Sequence, residues 1–383
     1  MERLRASELI LGNGPALSNP TLQPVQPNRS SMTWTNDFTK QLGIEFPIVQ
    51  APMLGVTSPQ MVAQLSNAGA LGSLPVGGLS PDKTLALIRQ TKTLTRKPFA
   101  VNLFANTLPT PRAAQASQMR EFLTTLARNH NLAAPTADAL DTPMYSYADQ
   151  LDILVSEKIS VISFTFGIPD DASLKTLKST GAVLIGTATS FREAAVLQEK
   201  GVDMITAQGI EAGGHRGSFL DDEPLPQVGL ISLVSEIVHR LPRPVLAAGG
   251  IHDGKTIRAA LMLGAQAVQI GTAFIACTES IAIPSYKSAV MNATGTDTAL
   301  TRAFTGRWAR GIRNAFMNEV ENSGIAPLPY PLQASLNAAL RASAQQRDDK
   351  EFTNLWAGQS TVNVQAKPAV EILQQLIQEA EAV

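Results

Sequence analysis

The sequence predicts an α/β fold, a (β/α)8 TIM barrel with an inserted, mainly helical subdomain, and three observations lead there. Eight short apolar runs rich in β-branched residues recur from Pro47 onward, at 48–53, 70–76, 99–104, 161–166, 182–187, 204–208, 244–249 and 267–272. Each is followed by a stretch with apolar residues three or four apart, the spacing of a helix that buries one face. Several runs are apolar on both faces, as expected of parallel strands covered by helices on one side and packed against side chains on the other. Eight repeats suggest closure into a barrel.

In chain order, residues 1–37 read as a flexible extension, because the stretch Pro20 to Ser31 is rich in Pro, Asn and Ser without either apolar period. Ser58-Pro59 and Ser80-Pro81 each place a capping hydroxyl before a proline that suits the first helical turn, and Gly181, Gly201 and Gly264 stand just after helical runs. The third crossover, 107–157, is too long for a simple loop and has helical spacing over 112–130, so it carries an insertion. A second extra segment follows Ile281 and runs through Pro327-Leu328-Pro329-Tyr330-Pro331 to Gln359, before an amphipathic stretch at 366–381 returns to the barrel. The barrel is therefore assigned to 38–280 and 365–383, and a helical, substrate-covering subdomain to 281–364.

Composition narrows the function classes. Hydrophobic residues make up 44% of the 383 and charged residues 16%, which fits a globular enzyme with a large core. The formal net charge is −1 and no basic cluster stands out, which argues against nucleic acid or an anionic membrane as partner. No apolar run is long enough to span a bilayer, and acidic residues interrupt the first twelve positions, so a soluble cytoplasmic protein is expected. The single cysteine, Cys277, follows apolar Ala273 to Ala276 and reads as a quiet buried thiol. It excludes an intrachain disulfide and a cysteine zinc site, and no metal is expected. The sequence does not fix an oligomeric state.

In barrels of this kind the functional groups converge at the C-terminal ends of the strands. Ala247-Ala248-Gly249-Gly250 and Gln269-Ile270-Gly271-Thr272 end the last two strands, and glycines there let backbone N–H groups approach a phosphate. The same arrangement serves FMN, phosphosugars and nucleotides, or simply makes tight turns. Asn102 and Gln208 interrupt apolar strands with amides that need partners, either ligand atoms or loop carbonyls. In Glu211-Ala212-Gly213-Gly214-His215-Arg216-Gly217, glycines put His215 on a turn after a strand end, suited to a general base or hydrogen-bond donor or to capping. Arg216 is expected to pair with phosphate or to face solvent, His252 to cap a helix, and His130 and His239 to lie on the surface.

Together Gln50-Ala51-Pro52-Met53, Asn102-Leu103-Phe104, Ala207-Gln208-Gly209, Gly213-Gly214-His215 and the two glycine motifs resemble the nitronate monooxygenase family. The resemblance spans nearly everything after residue 40. Thr305-Gly306-Arg307 and Leu355-Trp356-Ala357-Gly358-Gln359 resemble its class I branch. It implies noncovalent FMN with its phosphate at Gly250, Gly271 and Thr272 and its ring against Pro52, Met53, Asn102, Gln208 and Gly213. Leu54, Gly249 and Gln269 join the same cofactor set. It implies His215 as the catalytic histidine, Tyr330 and Trp356 as walls over the flavin, and oxidation of a small nitronate with O2 to a carbonyl compound and nitrite. Many relatives carry histidine where this chain has Thr165, so a second polar contact to substrate is altered. Two other readings share the barrel: an NAD(P)H-dependent FMN reductase acting on quinones or enoyl thioesters, and a non-redox barrel that binds a phosphate ligand.

Overall fold

The computed structural model describes residues 33–109, 113–141, 143–220 and 224–383. Eight parallel strands form the main sheet: β1 (Ile48–Gln50), β2 (Ser73–Pro75), β3 (Ala100–Phe104), β4 (Val161–Thr165), β5 (Val183–Ala188), β6 (Met204–Gln208), β8 (Val245–Ala248) and β9 (Ala267–Ile270), with the short β7 (Gly214–His215) outside it. Their order is β1-β9-β8-β6-β5-β4-β3-β2. A bridge between Val49 and Leu71 joins the two ends, with the Gln50 amide donating to the Leu71 carbonyl and the Leu71 amide to the Ile48 carbonyl, each at 2.9 Å. All eight expected strands are present and the bridge nearly closes the barrel.

Local chemistry explains the boundaries. Ser58 and Ser80 accept from the amides of Met61 and Lys83, capping the helices Pro59–Asn67 and Pro81–Leu94. Gly181, Gly201 and Gly264 adopt the left-handed conformation needed to turn the chain back into the next strand. The expected helices at 112–130 and 366–381 are observed as Ala113–Asn129 and Ala369–Glu381.

The strands' first inward residues, including Ala100, Val161, Met204 and Ala267, pack with Phe38 and Leu42 of the helix Asp37–Leu42. That helix plugs the N-terminal mouth of the barrel. Most of the expected extension, residues 1–32, lies outside the described residues. The described chain packs before the expected boundary at 37: Trp34 sits edge-on to Phe46 and donates to Glu381 at 2.8 Å, while Asn36 caps the first helix.

A second core joins the helix of the third crossover, through Met119, Leu123 and Leu126, to Phe304, Phe316, Leu336, Leu340 and Phe352. The two insertions thus bury one another's apolar faces at the open end of the barrel. The later insertion is helical over Ala315–Asn322, Leu332–Leu336 and Ala338–Gln346, but it also holds β10 (Thr298–Thr301) and β11 (Ala309–Ile312). These form an antiparallel sheet in the order β10-β11-β7, with Ala309 opposite His215. His215, expected on a turn, therefore sits on a short strand that the insertion pairs with and fixes.

Candidate active site

A cavity of about 380 Å3 opens at the C-terminal ends of the barrel strands, within the size range of small-molecule sites. Every residue that the sequence suggested for catalysis, cofactor or substrate contact lines it. Pro52, Met53 and Leu54 come from the loop after β1, Asn102 and Thr165 from β3 and β4, Gln208 from β6, and Gly213 and His215 from the loop and strand that follow. Gly249, Gly250, Gln269, Gly271 and Thr272 complete the barrel side, while Tyr330 and Trp356 face it from the insertion. Leu54 is the most open of these, at 47% exposure.

At one end the backbone forms a cradle. Gly249 and Gly250 have φ of 116° and 70°, a left-handed pair that turns successive N–H groups toward one side. Among the described residues the amides of Gly250 and Ile251 have no acceptor. Thr272 accepts from the Gly358 amide at 3.0 Å, and the Ser360 hydroxyl donates to the Gly250 carbonyl at 3.0 Å, so the 358–360 segment closes over the same place. Open donors beside glycines fit an anionic group such as a phosphate without a cation at its side.

At the other end His215 is boxed by aromatic rings, with centroids of Phe166, Trp356 and Tyr330 at 5.4, 5.4 and 5.8 Å. Its Nε2 lies 2.8 Å from the Thr305 hydroxyl. Burial, with smaller contributions from the Arg307 and Arg341 guanidinium groups, holds its imidazole at about 3, far below the ordinary histidine range. Among the described residues, Arg341 is the one charged side chain lining the cavity. It donates to Asn337, Asn354 and the Ala334 carbonyl, all neutral acceptors, and burial pushes it down to about 10. Arg307 lies over the Phe166 ring at 4.3 Å and donates to the Ser218 carbonyl. With no carboxylate lining it among the described residues, the cavity favours an anion.

Comparison with known proteins adds a lineage to this geometry. The family model for nitronate monooxygenase matches residues 36–379. The chain belongs to the nitronate monooxygenase family. A probable nitronate monooxygenase of Staphylococcus aureus (strain MRSA252) is 40% identical over 344 residues, covering 89% of this chain and 96% of that protein. Among solved structures, a nitroalkane oxidase from Streptomyces ansochromogenes is 35% identical with a TM-score of 0.82, covering 90% of this chain and 98% of that one. FabK from Thermotoga maritima is 29% identical with a TM-score of 0.70, covering 90% and 95%. This member of the nitronate monooxygenase family is an oxidoreductase that oxidises nitronates.

Several side chains of this family member do work that the sequence did not reveal. Gln208 spans its own loop: Nε2 donates to the His215 carbonyl at 3.0 Å and Oε1 accepts from the Gly217 amide at 2.8 Å, which leaves one N–H for a ligand. Asn102 instead donates to the Ser163 hydroxyl at 3.0 Å and more weakly to Thr165 at 3.4 Å. Thr165 thus supports Asn102. Arg216 is neither a phosphate ligand nor exposed. It is fully buried, and it donates to the carbonyls of Gly209 and Gln208 at 2.6 and 2.9 Å, tying its loop to the end of β6. His252 does not cap its helix; Asp253 does, accepting from the Thr256 amide, while His252 Nδ1 lies 3.2 Å from the Gly250 carbonyl. His239 is exposed as expected, whereas His130 packs on Phe352 at 4.4 Å. Cys277 is buried, and burial pushes its thiol up to about 12, an inert group. Arg341, Phe166 and Ser360 had no local signal. Thr305 was visible only as part of a family motif. Among the described residues no helix is long and apolar enough to cross a membrane.

Proposed function

We propose that the enzyme oxidises small alkyl nitronates, such as propionate 3-nitronate, with FMN and O2, releasing a carbonyl compound and nitrite. The observation that carries this reading is the charge of the cavity: among the described residues a single guanidinium, a neutral histidine and no carboxylate suit a substrate that arrives already ionised. In this reading 38–280 and 365–383 supply most of the cofactor site, and 281–364 covers the substrate and adds Gly358 and Ser360 beside the phosphate.

The residues fit FMN. Gly249, Gly250, Gly271 and Thr272, with Gly358 and Ser360, would hold its phosphate through the open amides at the ends of β8 and β9. Pro52, Met53 and Leu54 would wall the ring, with Asn102, Gln208, Gln269 and Gly213 at its polar edge. Bound there, flavin supplies the electron acceptor for the nitronate and the donor to O2. Tyr330, Trp356 and Phe166 exclude water from the reacting carbon, which strengthens every charge interaction within the cavity. Arg341 draws the nitronate in and offsets its charge. Burial chiefly, and the two guanidinium groups to a smaller extent, keep His215 neutral; a bound anion opposes the guanidinium part and so favours a proton on Nδ1, which would then donate to a nitro oxygen. With a neutral nitroalkane the same atom would accept the α-proton. Thr165, smaller than histidine, leaves more room beside Asn102.

The test is anaerobic mixing of the purified protein with propionate 3-nitronate in one cuvette and NADH in another, following the flavin spectrum. Reduction by the nitronate alone, with nitrite released on admitting O2, is the expected result. Reduction by NADH alone would overturn the reading in favour of a reductase, and a protein unable to take up FMN would favour a non-redox barrel.

A further inference from the structure

We propose that Thr305 is a positioning residue that fixes His215 in its Nε2–H tautomer and so presents an unprotonated Nδ1 to the substrate cavity. The inference rests on the reading of His215 as a residue that meets substrate.

The argument is a count of donors and acceptors around one hydroxyl. Thr305 Oγ1 has three partners: the Arg307 carbonyl at 3.3 Å, the Arg307 amide at 3.4 Å and His215 Nε2 at 2.8 Å. A hydroxyl has one proton to give and two lone pairs to offer. The carbonyl can only accept, so it takes the proton; the amide can only donate, so it fills one lone pair. With all three contacts made, the remaining lone pair takes a donor, which assigns the hydrogen to His215 Nε2. In a neutral imidazole the other nitrogen is then the acceptor. Nδ1 has no hydrogen-bond partner among the described residues and is not one of the buried orphaned polar atoms, so it opens onto the cavity.

The surroundings keep this arrangement from relaxing. Thr305 is itself buried, on the connection between β10 and β11. β11 pairs with the strand that carries His215, and the Arg216 amide donates to the Trp308 carbonyl at 2.8 Å, so backbone and ring are anchored by one segment. Phe166, Tyr330 and Trp356 leave the ring little room to rotate. Burial and two nearby cations favour the neutral state, for which tautomer choice has meaning. The insertion therefore covers the site and also chooses the atom that carries the proton.

The test uses full-length protein, purified with its cofactor and labelled with 15N-histidine. Four histidines give a simple long-range 1H–15N spectrum, and His215→Gln assigns the signal of interest. Wild type is expected to show the Nε2–H pattern for His215. Thr305→Val, close in shape but without the hydroxyl, should shift it toward the other tautomer and lower kcat/KM for a nitronate by about 10- to 100-fold, the usual effect of losing a residue that orients a histidine. Thr305→Ser should restore both. If the valine variant does not fold, Thr305→Ala is judged by the same two readouts. An unchanged His215 pattern in the variant overturns the proposal whatever the activity. A changed pattern with unchanged turnover overturns instead the role of His215 toward substrate, and with it the consequence claimed for Thr305.

Discussion

The low proton affinity of His215 makes the fold's stability depend on pH in a way that one substitution should remove. Its imidazole is held at about 3 in the folded protein against an ordinary 6.5. Below about pH 6.5 the unfolded chain binds a proton there that the folded chain refuses, so stability falls as the solution is acidified toward pH 3. The slope approaches about 1.4 kcal/mol per pH unit, and integrating from pH 8 to pH 5 gives a loss of about 2 kcal/mol from this residue. His215→Gln cannot titrate, and its amide can still reach Thr305. The assay is urea unfolding at pH 8 and pH 5, followed by the fluorescence of Trp34, Trp308 and Trp356, for both proteins. Other groups titrate equally in the two, so the difference of differences isolates His215. The wild type should lose about 2 kcal/mol more than the variant. Equal losses would refute the reasoning and mean that water in the cavity solvates the imidazolium well.

Three further outcomes follow from the site and the core. Arg341→Met should raise KM for anionic nitronates about 10-fold, roughly 1.5 kcal/mol for a charge-assisted contact, with FMN affinity unchanged; initial-rate kinetics and a flavin titration check both. Gly250→Val forces a β-branched residue to φ 70°, a backbone cost of roughly 1–2 kcal/mol, beside the open amides. That protein should purify with little flavin and bind added FMN at least about 10-fold more weakly in a fluorescence titration. Gly254→Ala places a β-carbon against Glu379 and Ala380 of the last helix. It should lower unfolding stability by about 1–3 kcal/mol without altering flavin affinity, as read from urea midpoints and absorbance.

Particular residues show how far the sequence reached. Strands, caps and turn glycines were legible because their signals are local: a period of two or of three to four, a serine before a proline, a glycine after a helix. The same holds for the cradle at Gly249, Gly250, Gly271 and Thr272, since strand ends at a barrel mouth can be located from the repeat alone. The lineage was legible too, from short motifs at those ends.

What the tertiary structure decided is everything that depends on partners distant in the chain. Thr305 reaches His215 across 90 residues, and Arg341 faces the same cavity from a helix whose own sequence looks like an ordinary surface helix. Arg216 is adjacent to His215, but it is buried in the core, where the carbonyls of Gln208 and Gly209 accept from its guanidinium and the carboxylates of Glu193 and Glu211 favour its charge. Periodicity and turn chemistry record how each segment meets its neighbours. The charge of the cavity and the tautomer of its histidine arise only when the insertion folds over the barrel, for both are sums over groups that no short window contains.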